Sequence, residues 1–140
     1  MMYRETQNEK YLQQAINIAK FILHHPNLPE DKIPYWDFDA PNIPDEPRDA
    51  SAGAIIASAL LELSQYVNDD KLSKEYQSVA SQQLRTLSSD EYLAAPQTNG
   101  GFILKHSVGN KPRNSEVDAP LTYADYYYVE ALLRYKKLLQ

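Results

Sequence analysis

From Ala50 to Leu61 no residue carries a charge: the run reads Ala-Ser-Ala-Gly-Ala-Ile-Ile-Ala-Ser-Ala-Leu-Leu. Wound as a helix, it places small side chains on one side and Ile55, Ile56, Leu60 and Leu63 on the other. A helix that is apolar all round must be covered on both sides. Both faces of this stretch therefore expect a packing partner, as an inner helix would have. Asp49 or Ser51 can cap its start, and Asp49 also suits the positive end of the helix dipole.

Three further helical segments follow from periodicity. One runs from about Gln7 to His25, with Leu12, Ala15, Ile16, Ala19, Ile22 and Leu23 in register and polar residues opposite. Another runs from about Lys71 to Leu87, with Leu72, Tyr76, Val79, Ala80, Leu84 and Leu87 on one stripe. Both have a wet side. The last, about Leu121 to Leu139, is again apolar round most of its circumference, through Tyr123, Tyr126, Tyr127, Val129, Leu132 and Leu133. Pro120 suits its first turn, and Thr122 with Asp125 has the spacing of a capping box. The order is outer, inner, outer, inner. It predicts a single all-α segment, 1–140, made of two αα-hairpins.

Connection lengths add an orientation. The middle pair is joined by a few residues around Asn68-Asp69-Asp70, as in an antiparallel helical pair. The other connections, His25 to Arg48 and Asp90 to Pro120, are long. In an up-down array both fall at one end, where the inner helices begin, and loops of such length are commonly functional. They contain the only Trp and a Gly100-Gly101 turn that feeds a strand-like Phe102-Ile103-Leu104.

Composition narrows the partners. A net charge of −5 argues against nucleic acid and against an anionic membrane surface. No charge-free run is long enough to cross a bilayer, and no basic segment followed by an apolar stretch opens the chain. With no cysteine there is no thiol nucleophile and no thiolate metal site. No glycine-rich phosphate loop appears, and His24-His25 has no i,i+4 partner; no cofactor and no metal is expected.

Two stretches are more specific. Pro34-Tyr-Trp-Asp-Phe-Asp-Ala-Pro-Asn-Ile-Pro-Asp-Glu-Pro-Arg-Asp-Ala-Ser-Ala runs into the uncharged helix. Gly100-Gly-Phe-Ile-Leu-Lys-His106 is followed by Glu116-Val-Asp-Ala-Pro-Leu-Thr-Tyr-Ala-Asp-Tyr-Tyr-Tyr-Val-Glu. Together they resemble the unsaturated glucuronyl hydrolases of glycoside hydrolase family 88, in the closing third of the family's length. The resemblance implies an (α/α)6 barrel of alternating outer and inner helices, with the substrate cleft at one end. It implies removal of a 4,5-unsaturated uronic acid from oligosaccharides that a lyase has produced. An aspartic acid protonates the double bond, water adds beside the ring oxygen, and the hemiketal opens. The family's two essential aspartates belong to earlier hairpins and match nothing here, so no catalytic residue is assigned. Family members work in the cytoplasm or the periplasm.

The candidate substrate-binding residues each have two readings. Trp36 with Asp37 and Asp39 can stack on a sugar ring and bind its hydroxyls, or can anchor a loop through turn hydrogen bonds. Arg48 can meet the uronate carboxylate, or can pair locally while Asp49 and Ser51 cap the helix. His106, Lys111 and Arg113 would attract a polyanionic sugar, or are solvated loop residues. Some relatives acting on sulfated glycans carry a Ser-x-x-Ser-x-Lys pattern here, from which Asn110-Lys-Pro-Arg-Asn-Ser115 departs. Asp118 and Tyr123 open the last helix, where capping and tyrosine hydrogen bonds compete with acid–base work. The expected partner is an unsaturated uronic-acid oligosaccharide, once the segment is joined to the rest of the barrel. Exposed inner-helix faces predict a homo-oligomer. The alternatives are a non-catalytic carbohydrate-binding module or a helical-repeat interaction module.

Overall fold

The computed structural model describes residues 1–140 and consists of five helices and one small hairpin. They are α1 (Met2–Thr6), α2 (Glu9–Leu23), α3 (Ala50–Leu63), α4 (Asp70–Leu87), β1 (Ser107–Asn110), β2 (Ser115–Ala119) and α5 (Thr122–Leu138). The four predicted helices are α2 to α5. The short α1 and the hairpin were not expected. Asn8, Asp49 and Asp69 cap α2, α3 and α4 by accepting from backbone N–H groups of their first turns.

Helix α3 is the hub. Along one side Ala50, Ala54, Ala57 and Leu61 are fully buried, and small residues there let α4 and α5 approach its backbone. Gly53 matters for a separate contact. A Cβ at that position would stand 2.9 Å from the Ile33 Cδ1 methyl, so the missing side chain makes room for a first-loop anchor that is itself fully buried.

Hydrogen bonds across the helices fix their directions. Ser58 Oγ donates to Glu130 Oε2 (2.5 Å), and Arg134 Nη1 donates to the Ser58 carbonyl (2.7 Å). One turn further along both helices Arg134 Nη2 pairs with Glu62 Oε2 (2.6 Å), so α3 and α5 run parallel. Helix α4 runs against both: Ser73 donates to the Ser64 carbonyl, Ser81 pairs with Tyr135, and Ser88 pairs with Tyr128. The up-down order predicted from loop lengths is thus the order observed.

One expected cap does not form. Leu121 stands at the N-cap of α5 and makes no side-chain cap bond. Asp125 reaches across to the second loop instead, accepting from the backbone N–H groups of Ile103 (2.8 Å) and Leu104 (2.9 Å). Those two N–H groups lie in the strand-like stretch, and a carboxylate that accepts two amides binds them more strongly than it would one cap.

Helix α2 stands apart. Between it and α3 lies a groove of about 500 Å³ lined mainly by apolar side chains such as Leu12, Ala15, Ile18, Ile55 and Leu60. Tyr123, Tyr126, Val129, Leu132 and Leu133 expose a further apolar stripe, on α5. No helix is long and apolar enough to cross a membrane.

Candidate functional site

The first long loop is pinned to the end of α4. Gln82 Nε2 donates to the Glu30 carbonyl (2.6 Å), Gln83 Nε2 to Lys32 (2.9 Å) and Thr86 Oγ1 to Asp31 (3.0 Å). Three consecutive backbone carbonyls are thereby fixed, and with them the start of the Pro34–Arg48 excursion. Its two arms close on each other: Trp36 N–H donates to the Pro47 carbonyl (3.0 Å) and Asp49 N–H to Pro34 (2.8 Å).

Arg48 lies inside this closure. Its guanidinium donates to the Ile33 carbonyl through Nε (2.9 Å) and Nη2 (2.5 Å), makes a short ion pair with Asp31, and lies over the Tyr35 ring at 5.1 Å. The local partnership is therefore present, with Asp31 as the carboxylate. Trp36 turns its indole N–H to Glu46 Oε2 (2.8 Å). That bond first, helped by the Asn42 amide and by Lys111 and opposed by burial, holds the Glu46 carboxyl below the usual range. Asp37 accepts from Asp39 N–H in a tight turn, and Asp39 points toward His25 (3.8 Å) at the end of α2.

The second loop is built on two buried side chains, Tyr92 and Leu104. Leu93 bridges to Leu104, Ala94 N–H donates to the Ile103 carbonyl, and Lys105 N–H to Tyr92. The strand-like stretch read from Phe102-Ile103-Leu104 is thus a single bridge. The true ladder comes next, where Val108 faces Val117 and Asn110 faces Ser115. The β1–β2 turn carries Lys111 and Arg113, and Arg113 is exposed.

Both loops meet at the N-terminus of α3. The Ala50 N–H donates to the His106 carbonyl (3.0 Å). Asp49 Oδ1 accepts from Ser51 N–H (2.9 Å), Ser51 Oγ (2.6 Å) and Val108 N–H (3.2 Å). Lys111 Nζ reaches Glu46 Oε2 at 4.0 Å, linking the hairpin to the Trp36 loop. His106 Nδ1 lies 2.5 Å from Asp118 Oδ1, with the Tyr92 ring edge-on to the imidazole.

The structure therefore gathers Trp36, Arg48, Asp49, Ser51, His106, Lys111 and Asp118 at one end of the molecule. Asp49 and Ser51 are buried, whereas His106 and Asp118 stay open. Asp37 and Asp39 sit further round, toward α2, and Tyr123 lies on the exposed stripe of α5. Asp31, Tyr35, Glu46 and Tyr92 complete the arrangement and were not singled out from sequence, because each acts through a partner distant in the chain. Burial pushes the Tyr92 phenol up to about 12, and its hydroxyl has no hydrogen-bond partner. No group of three His, Cys, Asp or Glu residues stands close enough to hold a metal ion.

No protein-family model matches the chain. Individual relatives do. An unsaturated glucuronyl hydrolase of Formosa agariphila is 52% identical over 139 residues, which is 99% of this chain and 34% of the relative. An unsaturated chondroitin disaccharide hydrolase of Streptococcus pneumoniae is 30% identical, over 98% of this chain and 34% of its own length. Among solved structures, an unsaturated glucuronyl hydrolase specific for heparin superposes with a TM-score of 0.94 at 55% identity, covering 98% of this chain and 36% of that one. A mutant of the Streptococcus agalactiae enzyme, complexed with dGlcA-GalNAc6S, superposes with a TM-score of 0.82 at 30% identity, over 97% of this chain and 36% of its own. The chain spans about a third of the length of the proteins it matches, and over that third its helices follow the α/α-barrel path of the unsaturated glucuronyl hydrolases, to which it is homologous along nearly all of its own length.

Proposed function

We propose that this segment works as part of an unsaturated glucuronyl hydrolase and forms one wall of the substrate cleft. The observation that carries the reading is the convergence of both long loops on the N-terminus of α3, through the Ala50–His106, Asp49–Val108 and Lys111–Glu46 contacts. That convergence places an aromatic ring, an imidazole and basic side chains at one end of parallel inner helices. Such a surface suits an anionic oligosaccharide. The hairpin, with Lys111 and Arg113, contributes the positive charge, and Trp36 the stacking face.

The proton donor of the reaction lies outside these residues. In this reading an aspartic acid on another hairpin protonates the ring double bond, water adds at the carbon beside the ring oxygen, and the hemiketal opens to release the sugar. The segment binds and orients. Because a solved relative at 55% identity is specific for heparin, heparin-derived unsaturated disaccharides are the substrate class proposed.

The test follows loss of the conjugated double bond by absorbance. The 140-residue chain alone should leave both heparin- and chondroitin-derived disaccharides unchanged. Joined to the preceding hairpins of its 52% identical relative, it should turn over the heparin-derived one faster. Turnover by the chain alone, or no turnover by the joined protein, overturns the reading.

A further inference from the structure

At the loop end, one pair of side chains is held more firmly than folding requires. Asp118 Oδ1 lies 2.5 Å from His106 Nδ1. A carboxylate can only accept, so the proton in that bond belongs to Nδ1, and whenever the ring is neutral Nε2 is left as a bare acceptor. Both residues adopt left-handed backbone, His106 at φ 60° and Asp118 at φ 53°, a region that His and Asp enter more readily than most side-chain-bearing residues. The His106 carbonyl is tied to the start of α3 by Ala50 N–H (3.0 Å). Its ring meets the edge of Tyr92 with centroids 6.0 Å apart and planes at 86°.

The imidazole is thus fixed through its backbone, one nitrogen and one face, yet the two side chains remain 41% and 64% exposed. An exposed ion pair contributes little to stability, so folding alone gives the pair little purpose. A polar group held open and pre-oriented suits a ligand contact.

We propose that His106 recognises a sugar hydroxyl: Nε2 accepts a hydrogen bond from a ring hydroxyl of the unsaturated oligosaccharide, and Asp118 is the positioning residue that fixes the tautomer. The assignment rests on the glycan reading above. It explains why the second loop returns to α3 through His106 itself, since the same residue that seals the helix N-terminus aims the acceptor outward.

The experiment uses the 140-residue chain, nitrogen-15 NMR of its imidazoles and calorimetry, with a heparin-derived unsaturated disaccharide as the probe. In the free protein His106 should carry its proton on Nδ1, and the sugar should shift the Nε2 resonance. Asp118→Gly, compatible with the left-handed backbone, should release the tautomer and weaken binding about tenfold. His106→Asn, whose amide still donates to Asp118, should weaken binding equally. Asp118→Asn, whose amide oxygen still accepts the Nδ1 proton, should restore most of the affinity. Binding that leaves Nε2 unmoved, or is indifferent to His106→Asn, overturns this assignment and leaves the glycan reading intact. Absence of any binding overturns this assignment and leaves the glycan reading to the turnover test of the joined protein.

Discussion

Tyr92 is fully buried, yet its hydroxyl finds no partner, and burial raises the phenol to about 12. In the unfolded chain a tyrosine titrates near 10. The folded value lies above the unfolded one, so the stability this group contributes is intact below about pH 10. It is lost as pH climbs from there toward about 12, because the unfolded chain releases its proton first. Denaturant midpoints measured at about pH 9 and again near pH 11.5 should show a loss of about 2 kcal/mol, and Tyr92→Phe should abolish most of that difference. Below pH 10 the phenylalanine variant should be as stable as the parent, since no hydrogen bond is removed. Arg48 makes the complementary point. Its choice between ligand and local partner was open from sequence because Asp31 lies well upstream, and only the folded loop brings that carboxylate to the guanidinium.

Among the elements, α3 shows how much depends on one cap. Asp49 was readable as an N-cap from its position before the uncharged run, but its third bond, from Val108 N–H, comes from the second loop. Asp49→Ala should therefore cost more than an ordinary cap. Losing the cap and stranding a buried amide together amount to roughly 3 kcal/mol, measurable as a fall in the unfolding midpoint. Asp49→Asn, which still offers an oxygen, should recover much of it. Helix α5 shows the opposite case. Thr122 and Asp125 have capping-box spacing, and the spacing alone gave no reason to reject it. Asp125 is taken by Ile103 and Leu104 because two backbone amides of the loop lie within its reach. The β1–β2 hairpin escaped notice for a related reason. Its strands hold only Val108, Val117 and Ala119 as apolar residues, too few to set a period, and the ladder is held by pairing across a turn whose Asn114 adopts the left-handed conformation.

For the molecule as a whole, the distribution of apolar surface is the telling quantity. The groove beside α2 and the α5 stripe of Tyr123, Tyr126, Val129, Leu132 and Leu133 both leave apolar side chains open. Surfaces of this kind are uncommon on isolated monomers. We expect the chain on its own to self-associate, with sedimentation velocity showing concentration-dependent species. A Tyr126→Lys, Leu133→Lys variant should shift the distribution to monomer without lowering helix content.

Several features needed no coordinates. The uncharged run at 50–61 and the apolar circumference of the last helix demanded two layers, because a side chain's period and polarity are properties of the chain itself. The lengths of the three connections then fixed which helices run parallel. The chain could not announce its long-range partners: Asp31 for Arg48, Glu46 for Trp36, Asp118 for His106, Asp125 for the loop amides. Each of these is a choice among several chemically equivalent donors or acceptors. Only the packing of α3 against α4 and α5 brings one of them within hydrogen-bonding distance and leaves the others in water.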